Sequence, residues 1–546
     1  MSDHCSTSII VATDFHCTNK PDTYHNLLEK PKKLNWSKKI QANFENIIQS
    51  TDSKDFLSNF VLNGITHDQK SIDSATEFFT DFLINSAIKA DDEILQIKCK
   101  GSRKSPLPNW KFKRKPKIVK LPKWHDTTCE ELKKKMKQTS GLLKKFPKHP
   151  YLLGCLNSEQ RQYKKLLKSK QKEFVNNMFT ELDQLYSSNP RGYMNIVKTL
   201  RDGSFDKKVA DNSSFVSPDR WQQHFSELLG PPVPPSHADL VMTSYIADNS
   251  DRLKSELDNP ITRAEMIEEI SGLDNNKAVS FDRVSNEMLK TGKLIIASPL
   301  LRLFNPILTS TLYPSNWKLD ILSPLHKSDE KSDPNNYRGL AVSSCLGKLF
   351  NKILQSRLDK FCKKNNLISD LQGSGKTGSR TCDHLLIVRC LFDKYVKHQG
   401  KHLYTCFVDL RKAFDTVSRV KLFYTLVKDY SIGGNFLKII QQIYSGNQMY
   451  IKLADGLVHP FLTTVGVKQG CVFSPILFNL FINKICTSFD QSCDPVQLNN
   501  VDVNCLLWTD DLLLISKSAT GLQNSIDKMQ QFYNTMGLEV NIKNRK

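Results

Sequence analysis

The sequence predicts an α+β fold in which antiparallel strands pack against helices, with a mostly helical region before them. Three stretches support this prediction. Residues 505–515, CLLWTDDLLLI, hold two adjacent Asp residues between short apolar runs, as in a hairpin buried on one side. Residues 317–338 alternate apolar and polar side chains up to His326, turn through Asp-Pro and Asn-Asn, and return at Tyr337. Residues 344–361 repeat apolar residues at the spacing of an amphipathic helix.

The composition points to a polyanionic partner. The 546 residues, enough for several domains, carry a formal net charge of +21. A basic surface of this kind releases counterions when it binds nucleic-acid phosphates, and an acidic membrane surface is the rival partner. The fourteen cysteines are scattered from Cys5 to Cys505 without a C-x-x-C pair, which is typical of reduced thiols and not of a zinc or disulfide framework.

The sequence gives no sign of membrane insertion or secretion. No run of 18 or more apolar residues is present, and the N-terminus lacks the basic and apolar segments of a signal peptide. We therefore expect an intracellular protein, nuclear and/or cytoplasmic, that is not secreted and has no membrane partner.

The first part of the chain divides by composition. Residues 1–97 form a largely helical N-terminal region without recognisable chemistry, and residues 98–123 concentrate Lys and Arg among Pro and Gly, which predicts a basic linker. The linker could serve nuclear import or nucleic-acid contact, or simply be solvated. Residues 124–229 predict a helical basic connector, and the Pro-rich residues 230–260 form a second linker.

Helix starts are predicted from capping patterns. The connector opens with Thr128-x-x-Glu131, and the region after the Pro-rich linker opens with Thr262-x-x-Glu265; both match a capping box. Near the C-terminus, Thr520 is predicted to cap a helix, and residues 537–542, GLEVNI, are predicted to form a strand.

Residues 403–417, LYTCFVDLRKAFDTV, place a third carboxylate at a strand end. A β-rich run ends at Asp409, a helical pattern begins soon afterwards, and Asp415 is interpreted as a helix cap. The paired Asp residues of the 505–515 hairpin would repel each other unless a cation lay between them. Taken alone, that pair could equally be a solvated turn.

Between the two acidic stretches lie residues 465–479, VGVKQGCVFSPILFN. Gly466 and Gly470 flank Gln469, and Ser474-Pro475 are predicted to be the N-cap and first-turn residues of a helix. The segment GSGKT at 373–377, by contrast, is not a phosphate-binding loop, because polar residues precede it and no helix pattern starts directly after it.

Together these stretches follow the order F-x-D-x-x-K-A-F-D, G-x-x-Q-G-x-x-x-S-P and D-D. The order resembles the palm of a reverse transcriptase, and in its details that of the non-LTR (LINE-type) retrotransposons. Trp508-Thr509 precede the Asp pair here, where the family usually has Tyr-Ala or Phe-Ala. Residues 367–384 also resemble a segment of the family that lines the template channel.

The resemblance implies a right-hand polymerase fold. Residues 261–400 would be the fingers and residues 401–546 the palm, and we expect the chain to be truncated before the thumb. The family's mechanism implies two Mg²⁺ ions, with Asp409 and Asp510 as bridging ligands, the Leu410 carbonyl as a further ligand, and Asp511 as a supporting acid.

Four more residues are implied in binding deoxynucleoside triphosphates. Lys327 and Arg338 would stand on opposite arms of the fingers hairpin as phosphate contacts. Phe414 would lie beneath the sugar and exclude a 2′-hydroxyl, and Gln469 belongs to the same nucleotide-binding set.

The implied activity is RNA-directed DNA polymerisation on an RNA template, with a DNA primer or target as the second nucleic-acid partner. Two alternatives stay open at this point. The chain could be a decayed retroelement remnant that binds RNA without polymerising, or a nucleic-acid-binding adaptor whose acidic tip is only a turn.

Overall fold

The structure is a computed structural model. It describes residues 28–31, 33–34, 36–62, 64–100, 126–146, 149–188, 193–194, 197, 216–230, 234, 236–327, 329–376 and 378–541. The basic linker predicted at 98–123 lies almost entirely outside these residues.

Helices account for most of the described secondary structure. In chain order the α-helices are α1 (Lys38–Gln49), α2 (Thr51–Leu62), α3 (Gln69–Lys100), α4 (Thr127–Lys145), α5 (Pro150–Ser188), α6 (Pro218–Leu229), α7 (His237–Ser250), α8 (Arg263–Ser271), α9 (Asn286–Ser310), α10 (Cys345–Lys364), α11 (Thr381–Phe392), α12 (Arg419–Tyr430), α13 (Gly434–Tyr444), α14 (Ser474–Ile482) and α15 (Ala519–Met536).

The strands form three small sheets. They are β1 (Leu319–His326), β2 (Tyr337–Val342), β3 (Tyr404–Val408), β4 (Gln448–Ile451), β5 (Phe461–Leu462), β6 (Val496–Leu498), β7 (Val501–Val503), β8 (Cys505–Trp508) and β9 (Asp511–Ser516). Their orders are β2-β1-β4-β5, β3-β9-β8 and β6-β7. Helices and mainly antiparallel strands thus form the α+β fold that the sequence predicts.

The chain divides into two compact units. One comprises residues 1–103 and 212–546, and the other residues 104–211. In the smaller unit α4 and α5 pack along each other. The finer domain boundaries drawn from the sequence stay predictions.

In the larger unit, helices α1 to α3 share one hydrophobic core with α9 and the helices that follow it. Phe44 and Ile48 of α1 are fully buried, and Ile48 packs against α9 at Gly292. Phe56 of α2 stacks on Phe78 of α3 with ring centroids 4.5 Å apart. The N-terminal region, to which the sequence assigns no chemistry, therefore contributes apolar faces to the core of the larger unit.

The first sheet contains the predicted fingers hairpin. β1 and β2 are antiparallel, with pairs running from Ile321↔Val342 to His326↔Tyr337, which confirms the hairpin. β4 joins β1 in parallel, so this sheet is mixed. Trp221 of α6 is fully buried under the hairpin and meets the Tyr337 ring edge-on at 4.8 Å.

The second sheet carries the acidic residues. β8 and β9 form the hairpin predicted at 505–515, and β3 pairs antiparallel with β9 from Tyr404↔Ser516 to Val408↔Leu512. The inner strand β9 is buried from its second residue onward, and Leu512 to Ile515 within it are all apolar. Such a run forms a strand because both of its faces are covered.

The amphipathic helix predicted at 344–361 is confirmed as α10. Its inner face includes Leu346, Leu349 and Phe350, all fully buried. Phe350 and Trp317 belong to one aromatic cluster, and the centroids of these two rings lie 6.1 Å apart. This cluster supports the start of β1 and thereby fixes the base of the fingers hairpin.

Three of the predicted caps are wrong by one or two residues. Asp126, Phe473 and Ser518 are the N-caps of α4, α14 and α15, where the sequence predicts Thr128, Ser474 and Thr520. Asp126 is the N-cap of α4 because its carboxylate accepts hydrogen bonds from Cys129 N and from Thr128 Oγ1. The Thr128 hydroxyl therefore donates to Asp126 and does not cap the helix itself.

The predictions for residues 262–265 and 537–542 have opposite outcomes. The capping box at Thr262-x-x-Glu265 is confirmed, with both reciprocal hydrogen bonds present. The strand predicted at 537–542 is wrong over its described residues, which make only one isolated bridge, Leu410↔Val540.

Asp282 holds the start of α10. Its Oδ2 accepts from Ser344 Oγ at 2.6 Å and from Cys345 N at 3.1 Å, which satisfies donors at the helix N-terminus. The other oxygen, Oδ1, is shielded and has no hydrogen-bond partner among the described residues. Burial raises the pKa of this carboxyl to about 6.

Replacing Asp282 by Asn should therefore stabilise the fold at neutral pH. Because the folded pKa lies above the unfolded value, the ionised carboxylate lowers stability once the pH rises through about 6, whereas Asn keeps the acceptor without the charge. We expect a gain of up to about 3 kcal/mol at pH 7 that disappears by about pH 4. Urea unfolding at both pH values measures it, with the exposed Asp455→Asn as control. Equal gains at both pH values would contradict the explanation.

Among the helices of the described residues, none combines the length and the apolar character that crossing a bilayer requires.

Candidate active site

The two adjacent Asp residues lie at the tip of the β8–β9 hairpin. Trp508 and Asp511 pair across the turn, leaving Thr509 and Asp510 as its two connecting residues. Thr509 has a φ of +60°, which a β-branched residue rarely adopts. Its conformation is held from outside the turn, because Thr509 N donates to Gln372 Oε1 at 3.3 Å and Thr509 Oγ1 donates to Ser374 Oγ at 2.5 Å.

Asp409 lies at the same edge of this sheet. β3 ends at Val408, which pairs with Leu512 of β9, and one further step in this register sets Asp409 opposite Asp511. Residues opposite each other in an antiparallel pair have Cα atoms about 4.5–5.5 Å apart. Asp409 therefore lies at the same edge of the sheet as Asp510 and Asp511, although about a hundred residues separate it from them in sequence.

The three carboxyl groups influence one another electrostatically. Burial raises the pKa of Asp510, and the negative charges of Asp511 and Asp409 raise it further. Burial and the charge of Asp409 likewise raise the pKa of Asp511. Such mutual repulsion is what a bound cation would relieve.

The chemistry of these donors fits Mg²⁺, which prefers hard carboxylate and carbonyl oxygens. No group of three or more His, Cys, Asp or Glu side chains is arranged to hold a metal ion in the part of the chain that the structure describes. The predicted ligands are two carboxylates and one carbonyl, those of Asp409, Asp510 and Leu410. The ligand set therefore stays a prediction.

Asn541 is a site residue that sequence reasoning missed. Its Nδ2 donates to Asp409 Oδ2 at 2.9 Å, and its backbone N donates to the Asp409 carbonyl at 2.8 Å. Arg411 N donates in turn to Glu539 O at 2.9 Å. These bonds anchor the stretch that carries Asp409, and none of them uses the Leu410 carbonyl.

Lys327 and Arg338 stand on the two arms of the fingers hairpin, as predicted. Arg338 pairs with Leu325 in the β-ladder, and Lys327 N donates to Asn336 O at 2.8 Å just beyond it. Their charges act on the acidic edge. The charge of Arg338 lowers the pKa of Asp510, and the charge of Lys327 lowers the pKa of Asp511, so each opposes the increase in pKa that burial causes. Two cations and three carboxylates thus share one electrostatic environment.

The loop between β5 and α14 brings Gln469 to the same region. Gln469 Nε2 donates to Asp415 Oδ1 at 2.7 Å, and the Gln469 carbonyl accepts from Ala341 N of β2 at 2.7 Å. Gly470 has a φ of +103°, and a Cβ there would lie 2.8 Å from the Ala341 carbonyl, so this approach requires glycine. The prediction that Asp415 caps a helix is wrong, because α12 begins later and Ser418 caps it.

Comparison with known families decides what this arrangement is. Residues 325–544, which include the three Asp residues of the acidic edge and both cations of the fingers hairpin, match the family described as reverse transcriptase (RNA-dependent DNA polymerase). Residues 325–544 are a reverse transcriptase domain.

Relatives of this domain come from retrotransposable elements and transposons. The Pol polyprotein of type-2 retrotransposable element R2DM from Drosophila melanogaster is 28% identical over 256 residues, covering 46% of this chain and 23% of that protein. The probable RNA-directed DNA polymerase of transposon BS, from the same species, is 24% identical over 324 residues, covering 56% and 34%. The chain thus spans about a quarter to a third of the length of these relatives.

Among solved structures, telomerase from Candida albicans, in complex with a fragment of telomeric RNA, aligns over 68% of this chain and 69% of its own at 12% identity. The TM-score is 0.32, which marks a distant likeness.

Phe414 lies inside the reverse transcriptase domain and is half-buried. Its ring stacks on Phe478 of α14 with centroids 4.7 Å apart and an interplanar angle of 15°. The stack fixes the direction of the ring five residues after Asp409. Its predicted contact with a sugar stays a prediction.

Arg419 is a second residue of the domain that sequence reasoning missed. Its guanidinium donates to the carbonyls of Gly466, Tyr444, Thr463 and Val465 and to the Thr463 hydroxyl, at 2.6–3.0 Å. Burial lowers the pKa of Arg419 to about 10, so the group is charged at neutral pH. A planar fork suits such multiple bonding, and it anchors the loop that carries Gln469.

The segment that resembles the template-channel stretch lies along β8. Leu507 N donates to Leu371 O at 2.9 Å and Gly373 N donates to Leu507 O at 3.0 Å, which is a short parallel pairing. The His384 ring meets Trp508 edge-on at 5.5 Å. A Cβ on Gly373 would lie within 3 Å of both rings, so glycine is required here. Trp508 stands where the family motif usually has Tyr or Phe, and its ring is accommodated by the contact with His384 beside Gly373.

Proposed function

We propose that this chain is the RNA-directed DNA polymerase of a non-LTR retrotransposon and adds deoxynucleotides to a primer 3′-hydroxyl on an RNA template. One observation carries the proposal: the sheet register sets Asp409 at the same edge as Asp510 and Asp511, where the charges of Lys327 and Arg338 also act. A binding protein has no need of mutually repelling carboxylates at one point, whereas phosphoryl transfer does.

Each residue has a role in this proposal. Reverse transcriptases as a family use a divalent metal and deoxynucleoside triphosphates; bound Mg²⁺ would lower the pKa of the primer hydroxyl and neutralise charge on the phosphate. Asp409, Asp510 and the Leu410 carbonyl would hold the two ions, with Asp511 as a supporting acid. Lys327 and Arg338 would bind the triphosphate, one as a point charge and the other as a bidentate fork.

The test is primer extension. The purified chain is incubated with an RNA template annealed to a DNA primer, the four deoxynucleotides and Mg²⁺. Template-dependent products that require Mg²⁺ are expected. RNA binding without any primer extension would overturn the polymerase proposal and favour the decayed-remnant alternative. A chain that neither binds RNA nor extends the primer would support neither the polymerase nor the RNA-binding alternative.

The basic segment should dominate nucleic-acid affinity. Residues 98–172 contain 24 of the 77 Lys and Arg but only 4 of the 56 Asp and Glu, so they carry a net charge of +20 out of +21. If only three phosphates of a single-stranded RNA are neutralised, affinity should fall about 20-fold between 50 and 200 mM salt. Fluorescence anisotropy of a labelled RNA measures this fall.

A matched pair of variants locates the contacts. Replacing Lys164, Lys165 and Lys168, all exposed on α5, by Gln should weaken RNA binding and reduce the slope of affinity against salt. Replacing Lys360, Lys363 and Lys364, exposed on α10, removes the same charge and serves as control. Equal effects of the two triple variants would mean that total charge, not the segment, sets the affinity.

Replacing Phe414 by Ala should admit ribonucleotides. Ala removes the stacked ring, which in this proposal lies beneath the sugar, so the ratio of kcat/KM for deoxynucleotides over ribonucleotides should fall about 10- to 100-fold. Phe392→Ala, at an exposed ring of α11, is the control. An unchanged ratio would reduce Phe414 to a packing residue.

A further inference from the structure

Asp415 has no role in the mechanism described above, yet its side chain is directed into the loop that carries Gln469. The two residues are 54 positions apart and joined by one hydrogen bond, from Gln469 Nε2 to Asp415 Oδ1 at 2.7 Å. A narrow cavity next to them is lined by Gly339, Ala341 and Arg419, which places Asp415 between the fingers hairpin and the loop anchored by Arg419.

The chemistry of this pair fixes the orientation of the Gln469 amide. An ionised carboxylate only accepts hydrogen bonds, so the NH₂ end of the carboxamide must face Asp415. The carboxamide is planar, and its oxygen Oε1 is consequently turned to the opposite side. The loop backbone allows little adjustment, because the Gln469 carbonyl is bonded to Ala341 N and Val467 N donates to the Phe414 carbonyl at 2.8 Å.

The charge state of Asp415 is compatible with this role. Burial raises its pKa to about 6, while the Gln469 hydrogen bond and the charges of Lys412 and Arg338 oppose the rise. The group is therefore ionised at neutral pH, and one of the cations that hold it so, Arg338, is the proposed triphosphate contact.

We propose that Asp415 is a positioning residue that holds the Gln469 carboxamide with its oxygen presented to the incoming nucleotide. This inference rests on the proposed polymerase function and on the assignment of Gln469 to nucleotide binding. Asp415 itself touches no substrate. Its contribution is to keep the Gln469 oxygen, an acceptor, in the place where a nucleotide hydroxyl or base N–H would donate a hydrogen bond.

The experiment compares three single variants and one double variant. Asp415→Leu removes the acceptor at similar volume, Asp415→Asn retains one oxygen acceptor, and Gln469→Leu removes the carboxamide. Steady-state kcat and KM for deoxynucleotides are measured on an RNA template, and nucleotide Kd is measured in a complex whose primer ends in a dideoxynucleotide. Thermal unfolding of each variant reports loss of the fold.

Asp415→Leu should raise the nucleotide KM and Kd about 10- to 100-fold, the size of one hydrogen bond to a charged group, with a smaller change in kcat. Asp415→Asn should recover most of the affinity. The double variant Asp415→Leu/Gln469→Leu should bind nucleotide no more weakly than Gln469→Leu alone, because the effect of Asp415 passes through Gln469.

The outcomes separate this inference from the proposed function. If the wild-type chain extends no primer, the polymerase proposal fails and the positioning role fails with it. If the wild type extends primers but Asp415→Leu leaves KM and Kd unchanged, only the positioning role is overturned. Additive losses in the double variant, accompanied by a lowered unfolding temperature, would also overturn it, since Asp415 would then act only on stability.

Discussion

Replacing Asp409 or Asp510 by Asn is expected to abolish nucleotide addition, lowering kcat by at least about 10³-fold, which corresponds to about 4 kcal/mol of transition-state stabilisation. Asn keeps the shape of the side chain but removes the charge that would hold a metal ion. The register that sets β3 beside β9 brings the two positions to one edge of the sheet, so we expect either change alone to suffice. Asp511→Asn should cost less, since Asp511 is exposed and assigned a supporting role.

The same substitutions should not weaken RNA binding. Each Asn removes a negative charge that repels phosphates, so affinity for template should be unchanged or slightly higher. The exposed loop variant Asp455→Asn controls for the change in net charge. Primer extension by Asp510→Asn within a few-fold of the wild type would show that the acidic edge is not the catalytic centre.

Replacing Lys468 by Met is expected to destabilise the larger unit by about 3–5 kcal/mol. Lys468 Nζ lies 2.8 Å from Asp320 Oδ2, and the two side chains are 3% and 0% exposed. Apart from this ion pair, neither Asp320 oxygen has a hydrogen-bond partner among the described residues. Removing the cation leaves a buried charge without compensation, and that desolvation cost is the source of the loss.

A double variant distinguishes the charge from the packing. Lys468→Met/Asp320→Leu removes both charges and should recover most of the lost free energy of unfolding, because apolar residues of similar volume often replace a buried ion pair without penalty. Lys277→Met breaks a pair with Asp274 whose side chains are 52% and 76% exposed, and should cost at most about 1 kcal/mol. Urea unfolding measures all three. A double variant as unstable as Lys468→Met would refute the charge explanation.

Local patterns predict the elements of this fold well and their ends less well. The β8–β9 hairpin, the fingers hairpin and α10 were predictable because alternation and helical spacing persist over several residues. Caps were misplaced because two candidate side chains lie one or two residues apart, as at Ser518 and Thr520, and only the backbone geometry selects between them.

Some residues of the candidate site could likewise be predicted from the sequence, and others could not. Asp409 and Asp510 were predictable since each follows an apolar strand. Asp415, Arg419 and Asn541 were not, because their partners lie 54, 25 to 47 and 132 residues away in sequence. Polar residues whose function is to hold other residues have no local signature, and only the folded chain identifies them.

The short pairing of residues 371–373 with β8 has a consequence for solubility. β8 is the outer strand of its sheet, and its sequence, CLLW, combines aliphatic and aromatic side chains that would make an uncovered edge a template for intermolecular strand addition. Leu371 and Gly373 occupy both backbone groups of Leu507 and so close that edge. Loosening this segment should therefore lead first to self-association of the chain, before any change in its chemistry becomes measurable.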